Sequence, residues 1–295
     1  RYLTEKLLGM TDLPSLSEQT LKDLCQKNGF KLLSTNGVLK EEPDVVIVTD
    51  PFTASYETQG LLMMPRVMRA LGYKVALLRP YVNGKLMVIR GDRRSFVRYA
   101  SKQAARLERI AKARIELVGF DPALTICYRD EYTQLLGNMR GQFNVLLPEE
   151  WFREKARSAT FVEKLSSLKE KLTKVIAKNQ DLQEPYYLFT HCTERALVGN
   201  SVQMWQEALA LFGLTVIPVP VACCGMAGLH GHMVQNQDES YAVYKQNWAP
   251  EIKARNFEHC LITGFSCRSQ VKRMEGKNPV HPMMVLDKLL ALVSD

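Results

Sequence analysis

No stretch of this 295-residue chain approaches the ~20 consecutive apolar residues that a membrane-spanning helix requires. No secretory leader stands at its start, and it opens at Arg1 without an initiator Met. The expectation is a fragment of something longer, or a processed product. Nothing in it resembles the glycine fingerprint of an FAD site or the C-x2-C-x2-C run of a ferredoxin. Cysteine is too sparse and uneven for a disulfide scaffold, with seven residues, an odd number, in a chain this large. Reduced thiols that bind metal fit better, and with them a cytoplasmic location.

What is present describes an ordinary globular protein, 46% hydrophobic and 24% charged, long enough for two domains each with its own core. A net charge of +8 suggests nucleic acid until it is located. Nine Lys or Arg lie between residues 89 and 114, against Asp92 and Glu108. Only Phe96 and Tyr99 could serve there as aromatic platforms, so no nucleic-acid partner is expected. Arg98, Lys102 and Arg106 read first as a solvated helix face, and second as a docking face for an acidic domain.

Residues 1–42 read as a polar, mostly helical lead-in, with an amphipathic stretch over 16–26 stopped by Gly29. Strands are predicted over 44–49, 74–78 and 115–118. A loop over 50–56, a helix over 57–71 and a basic helix over 95–113 lie between and around them. Residues 151–184 read as a helical connector broken near Ala159. The pattern then restarts, with strands over 186–190, 215–221 and 258–263. Helices follow over 201–211, 239–254 and 283–293. Strands alternating with helices predict an α/β fold with mainly parallel sheets.

The second half repeats the first. Thr49 and Thr190 stand 141 residues apart, as do Met63 and Met204, Gly72 and Gly213, and Gly84 and Gly225. After a four-residue slip, Gly119-Phe120 matches Gly264-Phe265. This constant offset predicts a tandem duplication, with α/β domains over 43–150 and 185–295.

In the second repeat a cysteine follows each strand: Cys192, the pair Cys223-Cys224, and Cys267. Residues just past the ends of parallel strands gather at one edge, where α/β folds build their sites. Four convergent thiols suit an iron–sulfur cluster or a four-thiolate zinc site. Adjacency favours the cluster, because vicinal side chains reach neighbouring irons more easily than two corners of one tetrahedron. Two buried cysteines packing as small hydrophobes remain the alternative. Gly225 lets the backbone come close to whatever the sulfurs hold. The first repeat has Pro51, Val82, Asn83 and Pro122 at these positions, none a strong ligand. Cys25, Cys127 and Cys260 fall outside the alignment and read as core or surface thiols. His191, His230, His232 and His281 are candidate accessory ligands or proton handlers, and Arg268 a candidate counter-charge.

The segments His191-Cys192-Thr193-Glu194-Arg195, Cys223-Cys224-Gly225-Met226-Ala227-Gly228 and Gly264-Phe265-Ser266-Cys267-Arg268, followed by His281-Pro282, resemble the cysteine-rich CCG domain. That domain occurs in heterodisulfide reductase and in the glycolate-oxidase iron–sulfur subunit. The stretch from Pro43 onward looks most like the C-terminal part of bacterial FAD-linked oxidases of the D-lactate or D-2-hydroxyglutarate dehydrogenase type. The resemblance implies a [4Fe-4S] cluster or zinc on Cys192, Cys223, Cys224 and Cys267, with Gly225 beside it. FAD would sit on a missing domain, and flavin and ferredoxin-like domains would be the partners. A quinone or peripheral membrane link at the inner face would run through the whole protein. Two departures stand out: the first repeat has no cysteine set, and Gly264 replaces the first residue of the family's Cys-x-x-Cys. A structural module organising subunit contacts, a heterodisulfide reductase-like subunit and a thiol–disulfide catalyst are the rival functions.

Overall fold

In the computed structural model of the chain, which describes residues 5–7, 9–34 and 43–294, eight short strands form two sheets whose every pairing is parallel. The first sheet contains β1 (Lys31–Leu33), β2 (Val45–Val48), β3 (Val75–Leu78), β4 (Glu116–Gly119) and β5 (Val145–Leu146), in the order β1-β3-β2-β4-β5. The second contains β6 (Tyr186–Phe189), β7 (Val216–Pro218) and β8 (Cys260–Ile262), in the order β7-β6-β8. The expected α/β class with parallel sheets is what the chain adopts. Parallel neighbours need crossovers, and the helices that make them cover the sheet faces. All four side chains of β2 are accordingly apolar and buried.

The repeat is visible in the pairing itself. Order β3-β2-β4 in the first sheet equals order β7-β6-β8 in the second. Val45 pairs with Val75 and Tyr186 with Val216, each residue 141 positions from its counterpart. The first sheet then adds an edge strand on each side. One of these, β1, comes from the lead-in expected to be mostly helical; among the described residues there, Leu21–Lys27 forms a helix capped by Thr20. The rest of that expectation falls partly on residues 35–42, outside the described residues.

Several local expectations change. Residues 50–56, expected as a loop, form the helix Pro51–Tyr56, because Asp50 caps it and Pro51 supplies a ready-made first-turn φ. The strand expected over 215–221 is only three residues long, leaving Cys223 in a loop. The helix expected over 239–254 divides into Gln237–Asn247 and Ala249–Lys253, where Pro250 opens the second piece. The connector does break as expected, into Pro148–Lys155 and Ala159–Lys178.

A separate core for each half is met only in part. One apolar cluster lies wholly within residues 46–145 and another within 189–271. The largest cluster joins both halves, with Leu61, Met64 and Val67 of one beside Met283, Leu286 and Leu290 of the other. These residues belong to the helices Thr58–Ala70 and Pro282–Ser294, which pack together. Arg66 and Asp287 reinforce that packing, with Nε 2.9 Å from Oδ1.

Candidate metal centre

The helix Cys192–Leu197 begins three residues after β6. His191 caps it: its Nδ1 accepts from the Thr193 amide at 3.1 Å, and Glu194 Oε2 accepts from the His191 amide at 3.3 Å. Cys192 is therefore the first residue of a helix aimed outward from the strand end. On the other side of β6, the helix Phe265–Glu275 follows β8 and carries Cys267 in its first turn, buried at 2% exposure. β7 flanks β6 on the opposite edge, and the loop after it carries the vicinal pair. Gly225 has φ +86° and Ala227 φ +42°, so the chain turns tightly around the vicinal pair. A Cβ on Gly225 would lie 2.3 Å from the Ser240 carbonyl oxygen.

These three exits bring the four thiols together. Cys223 lies within hydrogen-bonding reach of Cys192 and of Cys224, and Cys224 within reach of Cys267. The sulfurs touch in succession, from 192 to 223 to 224 to 267. Cys223 is the thiol held far below the ordinary range, because Cys192 and Cys224 donate to it and the Gly225 amide lies 3.4 Å from its sulfur. Cys192 is pushed up by giving its proton toward Cys223 and by burial, and Cys224 by its bonds with Cys223 and Cys267. Among the described residues, no three or more His, Cys, Asp or Glu side chains are arranged to hold a single metal ion. Cys25, Cys127 and Cys260 are buried elsewhere, each raised by loss of water.

Cys192, Cys223 and Cys224 open onto a cavity of about 470 Å³ between the two halves. Its opposite wall comes from the first half, where Phe52, Tyr56, Leu86, Ile89 and Leu124 outnumber the charged Lys85 and Asp121. Both sets of strand ends thus face each other. The Phe265 amide donates to Asp121 Oδ2 at 2.7 Å, joining the helix after β8 to the cap of the helix after β4.

The accessory residues separate. His191 borders the thiols, with Nε2 3.2 Å from Ser266 Oγ, and its ring fills the space beside Gly264, where a Cβ would lie 2.4 Å from His191 Cδ2. The position that holds cysteine in the resembling family is therefore closed here by an imidazole. His230 does not border the cavity; it is half-exposed and faces Glu239 at 3.4 Å. His281 is a buried helix cap packed against Phe120, with ring centroids 4.3 Å apart and the planes tilted by 35°. Arg268, expected as a counter-charge, is committed elsewhere. Its guanidinium is 1% exposed, grips Glu57 with Nε 2.9 Å from Oε2, and donates to the Thr263 carbonyl at 2.7 Å. His232, which like His230 follows the glycine-rich stretch, does line the cavity.

No helix among the described residues is long and apolar enough to cross a membrane. No family model matches the chain. Curated proteins named D-2-hydroxyglutarate dehydrogenase do match it. The one from Pantoea ananatis is 39% identical over 290 residues, covering 96% of this chain and 26% of the relative. That from Haemophilus influenzae is 40% identical over 293 residues, covering 98% and 28%. That from Escherichia coli is 36% identical over 295 residues, covering 98% and 27%. Nearly the whole chain is thus similar to about a quarter of each of these D-2-hydroxyglutarate dehydrogenases.

Proposed function

We propose that this chain is the iron–sulfur region of a flavin-dependent dehydrogenase acting on a D-2-hydroxy acid, with D-2-hydroxyglutarate the first candidate. The observation that carries the reading is the row of four thiols at the strand ends, in a chain whose relatives bear that name. An all-sulfur donor set fits an iron–sulfur cluster. Four sulfurs touching in succession suit several neighbouring irons. One zinc ion would need all four at about 2.3 Å around a single point.

Cys192, Cys223, Cys224 and Cys267 would hold the cluster, and a cluster bound there supplies one-electron transfer. The rest follows from this chain's own residues. Gly225 offers an amide donor beside Cys223, and its missing side chain lets the loop close over the pair. The apolar side chains of Phe52, Leu86 and Ile89 stand across the cavity from the thiols. Oxidation of the hydroxy acid and the FAD are assigned to segments outside this chain, and the cavity is the side from which electrons arrive or leave.

The test is iron and acid-labile sulfide in protein purified without oxygen, across all seven Cys→Ser variants. Replacing Cys192, Cys223, Cys224 or Cys267 should remove most of the iron, whereas the Cys25, Cys127 and Cys260 variants should keep it. Equal iron in all seven would overturn the reading. Zinc in place of iron would leave a structural module that organises domain contacts.

A further inference from the structure

Between the halves lie two buried carboxyl groups that the thiol site does not use. Glu149 belongs to the helix Pro148–Lys155 of the first half and is 1% exposed. Glu194, two residues after Cys192, is fully buried. Ser201 lies between them, its Oγ 2.8 Å from Glu149 Oε1 and in shorter contact with Glu194 Oε1.

A hydroxyl has one hydrogen to give. Ser201 therefore donates to only one of the two carboxyls, and the other contact needs a proton from elsewhere. Glu194 already accepts from three groups: Trp205 Nε1 at 2.9 Å, Thr263 Oγ1 at 2.6 Å and the His191 amide at 3.3 Å. Both Glu194 oxygens thus already accept, and the Ser201 hydrogen completes that set of donors. Glu149 then has to give the hydrogen that Ser201 Oγ receives. Two ionised carboxylates at this separation, both buried, would repel strongly. Burial and the nearness of Glu194 accordingly push the Glu149 carboxyl far up.

The acceptor at the end of this relay stands at the thiol site. Glu194 ties the amide at the exit of β6, next to Cys192, to the hydroxyl of Thr263 at the exit of β8, four residues before Cys267. We propose that Glu149 is a neutral carboxylic acid that, through Ser201, positions Glu194 and with it the strand ends carrying Cys192 and Cys267. The first half, which has no cysteines at its own strand ends, thereby sets the spacing of those in the second. The inference rests on the metal-centre reading only for the purpose that the spacing serves.

Two measurements on metal-free protein test it. The infrared spectrum of the wild type at about pH 8, far above the ordinary carboxyl range, should contain the carbonyl stretch of a protonated carboxyl. Glu149→Gln should lack it; a wild type without that band overturns the proposal. The second measurement is the rate at which Cys192 and Cys223 pair as a disulfide when oxidised glutathione is added, which reports their spacing. Glu149→Gln, whose amide can donate the same hydrogen bond, should keep the wild-type rate. Glu149→Ala and Ser201→Ala should slow pairing about tenfold, as misplaced reacting groups do. Equal rates in all variants, or Gln as slow as Ala, would end the positioning role. Because neither readout needs iron, failure of the metal reading would leave this result intact, and the reverse holds too.

Discussion

Asp50 occupies in the first half the capping position that His191 holds in the second. Its carboxyl accepts from the Phe52 and Thr53 amides at 2.9 and 2.8 Å, yet burial, and then the neighbouring Asp121, raise it to about 6. An unfolded aspartate titrates near ~3.9. The folded state therefore binds this proton more tightly, and its contribution to stability is complete below about pH 4 and lost as pH rises through about 6. Asn caps helices as well as Asp does, so Asp50→Asn should remove that slope. In urea unfolding, the difference between variant and wild type should change by up to roughly 3 kcal/mol from pH ~4 to ~7. A parallel pair of profiles would assign the proton elsewhere. None of this was legible in the sequence, where residues 50–56 read as a loop. The four thiols were, because a cysteine after each strand is a pattern that topology alone converts into nearness. Arg268 and His281 were not, because their partners, Glu57 and Phe120, lie in the other half of the chain, beyond the reach of local pattern.

The basic helix, Arg93–Lys112, shows the same limit at the level of an element. Its existence and charge are plain in the sequence, and most of its cations face solvent. Arg106, expected on that solvated face, is instead buried at 6% exposure. Its guanidinium donates to the Arg79 carbonyl at 2.9 Å and the Leu33 carbonyl at 3.3 Å, closing the ends of β3 and β1. Charge reversal should separate the two kinds of residue. Arg98→Glu and Lys102→Glu should shift stability by no more than about 0.5 kcal/mol. Arg106→Ala should lose about 1–3 kcal/mol, because the Arg79 carbonyl loses its donor and the buried arginine stem its packing. Chemical denaturation of the three variants reads this directly, and equal losses would contradict the buried role. If the exposed cations dock an acidic domain, the first two variants should weaken assembly in low salt, since exposed charges are screened over ~10 Å at 0.1 M.

Over the whole molecule, the strand order common to both sheets was legible because the offset of 141 runs through strands, helices and glycines alike; how the halves join was not. They meet through a common apolar cluster, through Arg66 with Asp287, and through Arg268 with Glu57. Glu57→Ala would strand a guanidinium that is 1% exposed, so it should cost about 3–5 kcal/mol. Thermal unfolding should also remain a single transition in that variant, because the cluster of Leu61, Met64 and Leu286 still couples both sheets. Two separated transitions would mean that each half holds together alone.

The pairing of Thr58–Ala70 with Pro282–Ser294 has a consequence for synthesis. Leu61, Met64 and Val67 leave the ribosome more than 200 residues before Met283 and Leu286, the side chains they pack against. Strands β2, β3 and β4 can pair early, but one apolar face of the nascent first half stays uncovered until translation has passed the thiols. A domain that emerges first is the last to be finished, and the chain offers chaperones a long interval in which to hold it.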